Sequence, residues 1–563
     1  METIVDQVAN QAAAVPDRPF LTEHGRTLDF AAFFTLTRRM AGFLAGLGLR
    51  SGDRVVLYVE RRIPHLLGYF AGMAVGAIPV HLYAQKTHRF VALAAEHTAA
   101  ALVLTDRDDL DPRALPCRLA RISGLAAPVS GATSAPAGAA LTARGFDAAE
   151  LVGPEAAAAP ERWPRERHGI AYMMFTSGTT GEPKAVMTTQ ENVLFVTRTL
   201  IGIPGMRTGD RDVVVLPLGS TGGLGHAHAN LVLGNHALLL PYFFGAMDDA
   251  DLGHLLDAIE AHGATGFLST PGMLARLAER HREAFRRQAR GLRYVLANVT
   301  PMRPELVQDL LELLPHTRFH TYYGLTEASR SVYQCFNDHP DRRSCAGRAA
   351  PGVEIALDRP DPLTGAGEVL IRGGNVMAGY WPPASPSGQA GRDRQEAQAG
   401  PTGERQARHA GQAGDRSEGC RPGNASAALS AGGWFRTGDL GSLDDAGFLT
   451  IRGRLKDIVN VDGLKCFPFE IEEVLARHPA VAECAVVGVP DRTLYERLAA
   501  AVVPRAGEDP AALPAELARH CRRELELYKV PQQFLCVDAL PRSGLGKIDR
   551  QALAARLAEA WAR

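Results

Sequence analysis

Residues 175–184 read Phe175-Thr176-Ser177-Gly178-Thr179-Thr180-Gly181-Glu182-Pro183-Lys184. The apolar residues Ile170, Ala171, Tyr172, Met173 and Met174 precede them, as a buried strand requires. Four hydroxyls and two glycines fall within positions 176–181, then a turn at Pro183 and a cation at Lys184. Glycines let the backbone turn tightly and bring its N–H groups close to a ligand. Hydroxyls and a lysine at the mouth of such a loop suit a triphosphate. The order Gly-Lys-Ser/Thr never occurs in the segment, so it is not a Walker loop. Clusters of Ser, Thr and Gly also build ordinary loops, and the rest of the chain must decide between the two.

The chain has 563 residues, 46% hydrophobic and 22% charged, with a formal net charge of -1. That length supports a large core divided among two or more domains. A near-zero charge argues against a general nucleic-acid or membrane-surface binder, because neither has a field to exploit. The eight cysteines are scattered, without a Cys-x-x-Cys pair, so neither a zinc site nor a disulfide framework follows. A reduced, cytoplasmic setting fits that pattern. The N-terminus carries Glu2 and Asp6 and lacks an apolar signal core. The longest apolar run, residues 66–82, is broken by glycines, Pro79 and His81. It reads as a buried helix running into a strand rather than a membrane span.

Short β-branched or leucine-rich runs (55–59, 101–105, 213–216, 294–296) alternate with segments of helical apolar spacing (252–262, 304–314). Alternation of this kind implies α/β architecture with largely parallel sheets covered on both faces. After about residue 350 the pattern turns to hairpins, with 367–372 and 448–452 reading as antiparallel strands behind glycine turns. Residues 383–432 are rich in Gly, Ala, Gln, Arg and Ser and have little to bury, which predicts a disordered surface insertion. From Lys456 a small α+β pattern begins: helix 469–477, strands 484–489 and 499–503, helix 513–527. The expected division is a large N-terminal domain over 1–455 and a small C-terminal domain over 456–563. The chain ends soon after Lys547, which predicts no fused partner domain.

Four further segments supply what an ATP-consuming site needs. Thr321-Tyr322-Tyr323-Gly324-Leu325-Thr326-Glu327 offers aromatic rings, a hydroxyl and a carboxylate. Gly433-Trp434-Phe435-Arg436-Thr437-Gly438-Asp439 sets a carboxylate in a glycine turn, able to accept from ribose hydroxyls. Gly453-Arg454-Leu455-Lys456-Asp457 reads as a polar hinge, and Pro541-Arg542-Ser543-Gly544-Leu545-Gly546-Lys547 as a glycine-rich loop with one lysine. Taken singly, Glu327, Asp439 and Lys547 fit turn-forming or solvated roles as well. Their joint appearance in this order is what discriminates.

In that order the segments resemble the adenylate-forming superfamily of acyl-CoA synthetases, peptide-synthetase adenylation domains and beetle luciferases, over nearly the whole chain. The resemblance implies that the small C-terminal domain is mobile. It implies activation of a carboxylic acid by ATP to an acyl-adenylate, followed by transfer to a thiol. Thr176, Ser177, Gly178, Thr179, Thr180, Gly181 and Lys184 would hold the β- and γ-phosphates. Tyr323 and Gly324 would lie against adenine, Thr326 would contact the α-phosphate, and Glu327 would ligate Mg²⁺. Asp439 would bind the ribose hydroxyls with Arg454 beside it, Lys547 would bridge α-phosphate and substrate carboxylate, and Lys456 would be the hinge. The implied acceptor is CoA, or the phosphopantetheine of a carrier protein; a non-catalytic nucleotide-binding protein is the alternative from another class.

The sequence departs from the family near the acid. Pro217-Leu218 is followed by Gly219-Ser220-Thr221-Gly222-Gly223, not by the aromatic–His pair of many members. The usual glycine-rich turn reads Ala297-Asn298-Val299-Thr300-Pro301. No Asp follows Pro217-Leu218 to pair a substrate ammonium, and a buried ammonium without a counter-charge is costly. A plain carboxylic acid is the expected substrate.

Overall fold

The computed structural model describes residues 3–122, 169–177, 183–240, 248–297, 302–362, 364–381, 429, 432–461, 464–491, 495–542 and 546–562. The expected disorder over 383–432 falls almost wholly outside these residues, as do Gly178, Thr179, Thr180 and Gly181. The chain forms two compact units: Met1–Phe195, Pro217–Gly234 and Met377–Ser430 in one, Val196–Leu216, Asn235–Val376 and Ala431–Arg563 in the other.

In the first unit the apolar runs become a seven-stranded sheet. Its order is Gly379–Tyr380, Pro183–Thr189, Ile170–Ser177, Ile78–His81, Arg54–Tyr58, Leu102–Thr105, Arg118–Arg121. From Ile170–Ser177 to Arg118–Arg121 every neighbour is parallel, which requires cover on both faces. Helix Arg62–Ala74 is accordingly buried along its whole length, and the apolar run 66–82 is the helix-then-strand it was expected to be. The Glu23 carboxylate accepts the N–H groups of Arg62 (2.7 Å) and Ile63 (2.8 Å), satisfying the start of that helix.

In the second unit His236–Leu239, Arg211–Val214, Gly266–Ser269, Tyr294–Ala297 and Arg318–Tyr323 are consecutive parallel strands. Val332–Cys335 and Arg348–Ala349 continue the sheet antiparallel. Helices Asp249–His262, Pro271–Arg280, Arg282–Gln288 and Pro304–Leu313 bury Leu256, Leu274, Phe285 and Leu310 against Phe267, Val295 and Phe319. Val353–Asp358, Gly367–Gly373, Phe435–Leu443 and Leu449–Arg454 then form an antiparallel sheet, as the hairpin pattern predicts.

The C-terminal part shows the period-two logic of strands directly. On Val481–Asp491 and Tyr495–Pro504, Val486, Ala500 and Val502 pack under helices Pro468–Ala476 and Leu513–Glu524. Their neighbours Ala485, Val487, Ala499 and Ala501 pack under helix Arg550–Ala562 on the other face.

Two local expectations change. Pro183 is not a free turn but the first residue of strand Pro183–Thr189, where a missing N–H is tolerated. Asp439 does not sit in a glycine turn. It lies inside strand Phe435–Leu443 beside a register shift against Gly367–Gly373, with Gly438 at φ +70°. A bulge re-aims the carboxylate where a regular strand would not.

Candidate active site

The ends of parallel strands in an open α/β sheet are the usual place for ligands. Strand Arg318–Tyr323 runs there into a tight loop. Leu325 and Ala328 exchange backbone hydrogen bonds (3.1 and 3.2 Å), and the Ser331 N–H returns to the Tyr323 carbonyl at 2.9 Å. Gly324 is obligatory, since a Cβ there would lie 2.5 Å from the Arg330 nitrogen and 2.8 Å from the Ala328 oxygen. The closure sets half-buried Thr326 and buried Glu327 at the turn.

Asp439 is held from three sides. The Thr437 hydroxyl donates to the Val369 carbonyl at 2.8 Å and accepts the Asp439 N–H at 3.0 Å. The Gly438 N–H donates to the Glu368 carboxylate at 3.1 Å, and Arg436 pairs with that same carboxylate. The Asp439 carboxylate itself receives the Tyr323 hydroxyl at 2.7 Å and the Arg454 guanidinium at 2.9 Å. Burial raises its pKa, opposed by Arg454, the Tyr323 bond and Lys547. Burial and Asp439 together push the Tyr323 phenol well above its ordinary value.

Lys547 follows a glycine-rich loop closed by an antiparallel bridge between Arg542 and Ile548. Arg542 braces that loop, donating to the Gly546 carbonyl at 2.9 Å and to Glu483 at 2.8 Å. The Lys547 side chain retains solvent exposure. Even so, surrounding protein and then Arg454 lower its pKa, while Asp439 pulls it up. The exposure limits the size of that shift rather than its direction. Tyr323, Asp439, Arg454 and Lys547, spread over more than 200 residues of sequence, are thus gathered in one electrostatic cluster.

Lys456 is exposed in the single 3₁₀ turn Leu455–Asp457. Arg550 reaches Asp457 at 3.5 Å and Glu472 at 2.8 Å on the far side of that turn. In the first unit, Thr176 stands opposite Lys184 and Ser177 opposite Pro183 in the antiparallel pair of strands Ile170–Ser177 and Pro183–Thr189. The Lys184 ammonium lies 5.1 Å from the Tyr380 ring centroid. At Gly219, the residue after Pro217-Leu218, a Cβ would lie 3.0 Å from the Leu82 carbonyl oxygen, so the backbone there leaves little room for a side chain.

Sequence reading missed Glu368. An acidic residue inside an apolar strand, Gly367–Gly373, is the one signal it gives, because its partner Gly438 lies 70 residues away.

The donor set suits a nucleotide. A carboxylate has about four lone-pair sites; Tyr323 and Arg454 occupy one oxygen each at Asp439, leaving capacity for a vicinal diol. Among the described residues no cluster of three or more His, Cys, Asp or Glu could cage a metal alone. Mg²⁺ takes one or two carboxylates and completes its shell with phosphate oxygens and water, and buried Glu327 at the loop turn is one such carboxylate.

Comparison with known proteins agrees. Residues 8–381 match the family model described as AMP-binding enzyme, and 470–547 that of the AMP-binding enzyme C-terminal domain. The chain is 30% identical to sulfoacetate–CoA ligase of Cupriavidus necator, covering 98% of this chain and 97% of that one. It is 26% identical to 4-coumarate–CoA ligase 5 of Oryza sativa subsp. japonica, covering 98% and 94%. O-succinylbenzoate coenzyme A synthetase from Bacillus subtilis, solved in complex with ATP and magnesium ion, superposes with a TM-score of 0.73 at 25% identity, over 97% of this chain and 98% of that one. ATP-bound MatB from Rhodopseudomonas palustris shares the fold, with a TM-score of 0.76 at 21% identity and 99% coverage of both chains. The chain belongs to the AMP-binding enzyme family, the adenylate-forming superfamily. Its activity is that of an ATP-dependent, AMP-forming acid–thiol ligase. Among the described residues no helix is long and apolar enough to cross a membrane.

Proposed function

We propose that this enzyme activates a small-molecule carboxylic acid without an α-ammonium group and passes it to CoA, in the cytoplasm, with the residue roles that follow. Asp439 holds the ribose hydroxyls. Tyr323 and Gly324 flank the adenine, with Tyr323 also fixing the Asp439 carboxylate through its hydroxyl. Thr326 contacts the α-phosphate; Glu327 carries Mg²⁺, which when bound offsets phosphate charge. Thr176, Ser177, Gly178, Thr179, Thr180, Gly181 and Lys184 cradle the outer phosphates.

The observation that carries the reading is the placement of Lys547 within electrostatic reach of Asp439 and Arg454. An acid carboxylate must approach a phosphorus already surrounded by negative oxygens. Cations fixed in advance where that charge accumulates lower the barrier without reorganising during reaction. Arg454 pairs with the Asp439 carboxylate and Lys547 is within reach of both charges, two cations to one carboxylate, leaving a local positive excess for an α-phosphate and an incoming acid. Lys456 serves as the hinge by which the 456–563 segment withdraws Lys547 and admits the thiol. Coverage of 97% and 94% of the two CoA-ligase relatives supports CoA over a carrier-protein arm. The seven cysteines among the described residues are all thiols, which supports a reducing compartment.

The deciding experiment is acid-dependent pyrophosphate release from ATP across an acid panel, followed by thioester formation with CoA. Pyrophosphate should appear only with acid, and acyl-CoA only with both. A protein that yields no AMP with any acid does not have these roles.

A further inference from the structure

Arg330 is among the largest fully buried side chains of the molecule, 1% exposed. It is also one of four non-glycine residues with a left-handed backbone among the described residues, at φ +54°. A β-carbon in that region costs about 1 kcal/mol, and such strain persists where the surroundings impose it, often at ligand sites. Here the loop imposes it. Gly324 lets the Arg330 backbone close on the loop's start, and Asn375 clamps both flanks of Arg330. The Asn375 amide donates to the Ser329 carbonyl at 3.1 Å and to the Ser331 hydroxyl at 2.8 Å.

The clamp sends the guanidinium inward. It stands 5.0 Å from the centroid of the Tyr322 ring. Tyr322 faces Tyr333 directly across the antiparallel pair, with ring centroids 5.7 Å apart. Tyr333 is 7% exposed, and its hydroxyl is buried without a hydrogen-bond partner. Burial pushes the Tyr333 phenol upward and the Arg330 charge opposes it, so the two groups share one electrostatic environment. A buried phenol normally finds a partner. This one has a proton to give beside the planar Arg330 cation, whose Nη1 donates to the Ser329 hydroxyl at 3.4 Å and whose charge favours an oxyanion.

We propose that Arg330 and Tyr333 form an anion-recognising pair in the acid pocket, so that the substrate carries a second anionic group, a carboxylate or sulfonate, besides the carboxylate that is adenylated. The inference rests on the adenylation roles given above for the same loop. Thr326 and Glu327 sit at its turn and Arg330 on its returning limb, so one short loop addresses both ends of a compact acid. Inside the protein the attraction between guanidinium and anion is stronger than at a surface.

The test compares each dianionic acid with an isostere whose second charge is replaced by branched alkyl. The pairs are malonate against 3-methylbutanoate, succinate against 4-methylpentanoate, and 3-sulfopropionate against 4,4-dimethylpentanoate. Acid-dependent pyrophosphate release from the full-length enzyme should favour the dianion in at least one pair by roughly 10- to 100-fold in kcat/KM. In Arg330→Met that ratio should collapse to within about threefold, chiefly through KM, and Arg330→Lys should restore part of it. Tyr333→Phe, which leaves the ring stack in place, should reduce the ratio by about three- to tenfold. Equal or better use of the uncharged isosteres by the wild type overturns the proposal. So does an Arg330→Met enzyme in which both members of a pair fall together, since that marks Arg330 as a packing element. Should Arg330→Met not fold, the wild-type comparison and Tyr333→Phe decide. AMP formed only from uncharged acids retires the anion pair and leaves the adenylation roles standing; no AMP from any acid removes both.

Discussion

The Tyr323 hydroxyl donates to the Asp439 carboxylate at 2.7 Å, joining segments 116 residues apart. The bond makes an aromatic residue at the end of a parallel strand the support for a carboxylate on a different sheet. Loss of a partner at a buried charged acceptor costs about 1–3 kcal/mol. Tyr323→Phe should therefore raise the KM for ATP about tenfold in pyrophosphate exchange while the acid KM moves little. An ATP dependence identical to wild type would detach Tyr323 from nucleotide binding.

Lys547 is expected to act where charge develops. By comparison with the deletion of a single stabilising donor, Lys547→Ala should slow adenylation by about 10²–10³, roughly 3–4 kcal/mol. Burial and Arg454 lower the pKa of the ammonium, so it loses its charge sooner than a free lysine as pH rises. The wild-type adenylation rate should accordingly show an alkaline limb with its midpoint below the free-lysine value of about 10.4. The residual activity of Lys547→Ala should lack it. Near-full exchange activity in the variant excludes the role.

Much of this arrangement is legible before folding, and the reason is chemical. Segments such as 175–184 and 321–327 display their glycines, hydroxyls and carboxylates consecutively, because backbone and side chain would serve a ligand together. The alternation of strands and helices also announces itself through local apolar spacing, as in Asp249–His262 and Pro304–Leu313. What stays hidden depends on distant pairing. Glu368 looks like a solvated carboxylate until the sheet brings it to the Gly438 N–H. Asp439 reads as a turn residue because a bulge inside Phe435–Leu443 has no short-range signature beyond its glycine. Arg330 is one arginine among many until loop closure at Gly324 buries it.

Glu368 gives a prediction of its own. Its carboxylate anchors the bulge by accepting the Gly438 N–H at 3.1 Å while pairing with Arg436. Glu368→Gln keeps one acceptor but loses the charge that draws both donors. The bulge should loosen, raising the KM for ATP about three- to tenfold with a smaller change in kcat, the signature of misplaced binding rather than lost chemistry. A kcat defect at unchanged KM would argue against this positioning role.

The turn Leu455–Asp457 tests the hinge. Proline fixes φ near −65° and biases the residue before it away from helical backbone. Lys456→Pro should leave acid-dependent pyrophosphate exchange within about threefold of wild type and slow acyl-CoA formation by an order of magnitude or more, as expected when a conformational step gates turnover. Single-turnover measurement of each half-reaction separates the steps. Equal losses in both would place Lys456 outside any hinge.

His320 links the core beneath the site to pH. It lies on strand Arg318–Tyr323, 1% exposed, and neither ring nitrogen has a hydrogen-bond partner. Burial, then Arg318, lowers its pKa from 6.5 to about 4, against an opposing pull from Asp338. Because the folded value is the lower one, the unfolded chain binds more protons between pH 6.5 and about 4. Stability is therefore highest above pH 6.5 and declines as pH falls toward 4, and His65 and His262, both also lowered to about 4, act in the same direction. At pH 5 the share of His320 is on the order of 2 kcal/mol. His320→Leu retains apolar bulk and removes the titration. Between pH 7 and pH 5 its melting temperature should fall by about 2–4 °C less than that of the wild type. Identical pH slopes for the two proteins would mean that the His320 ring is already protonated, or solvated, in the folded state.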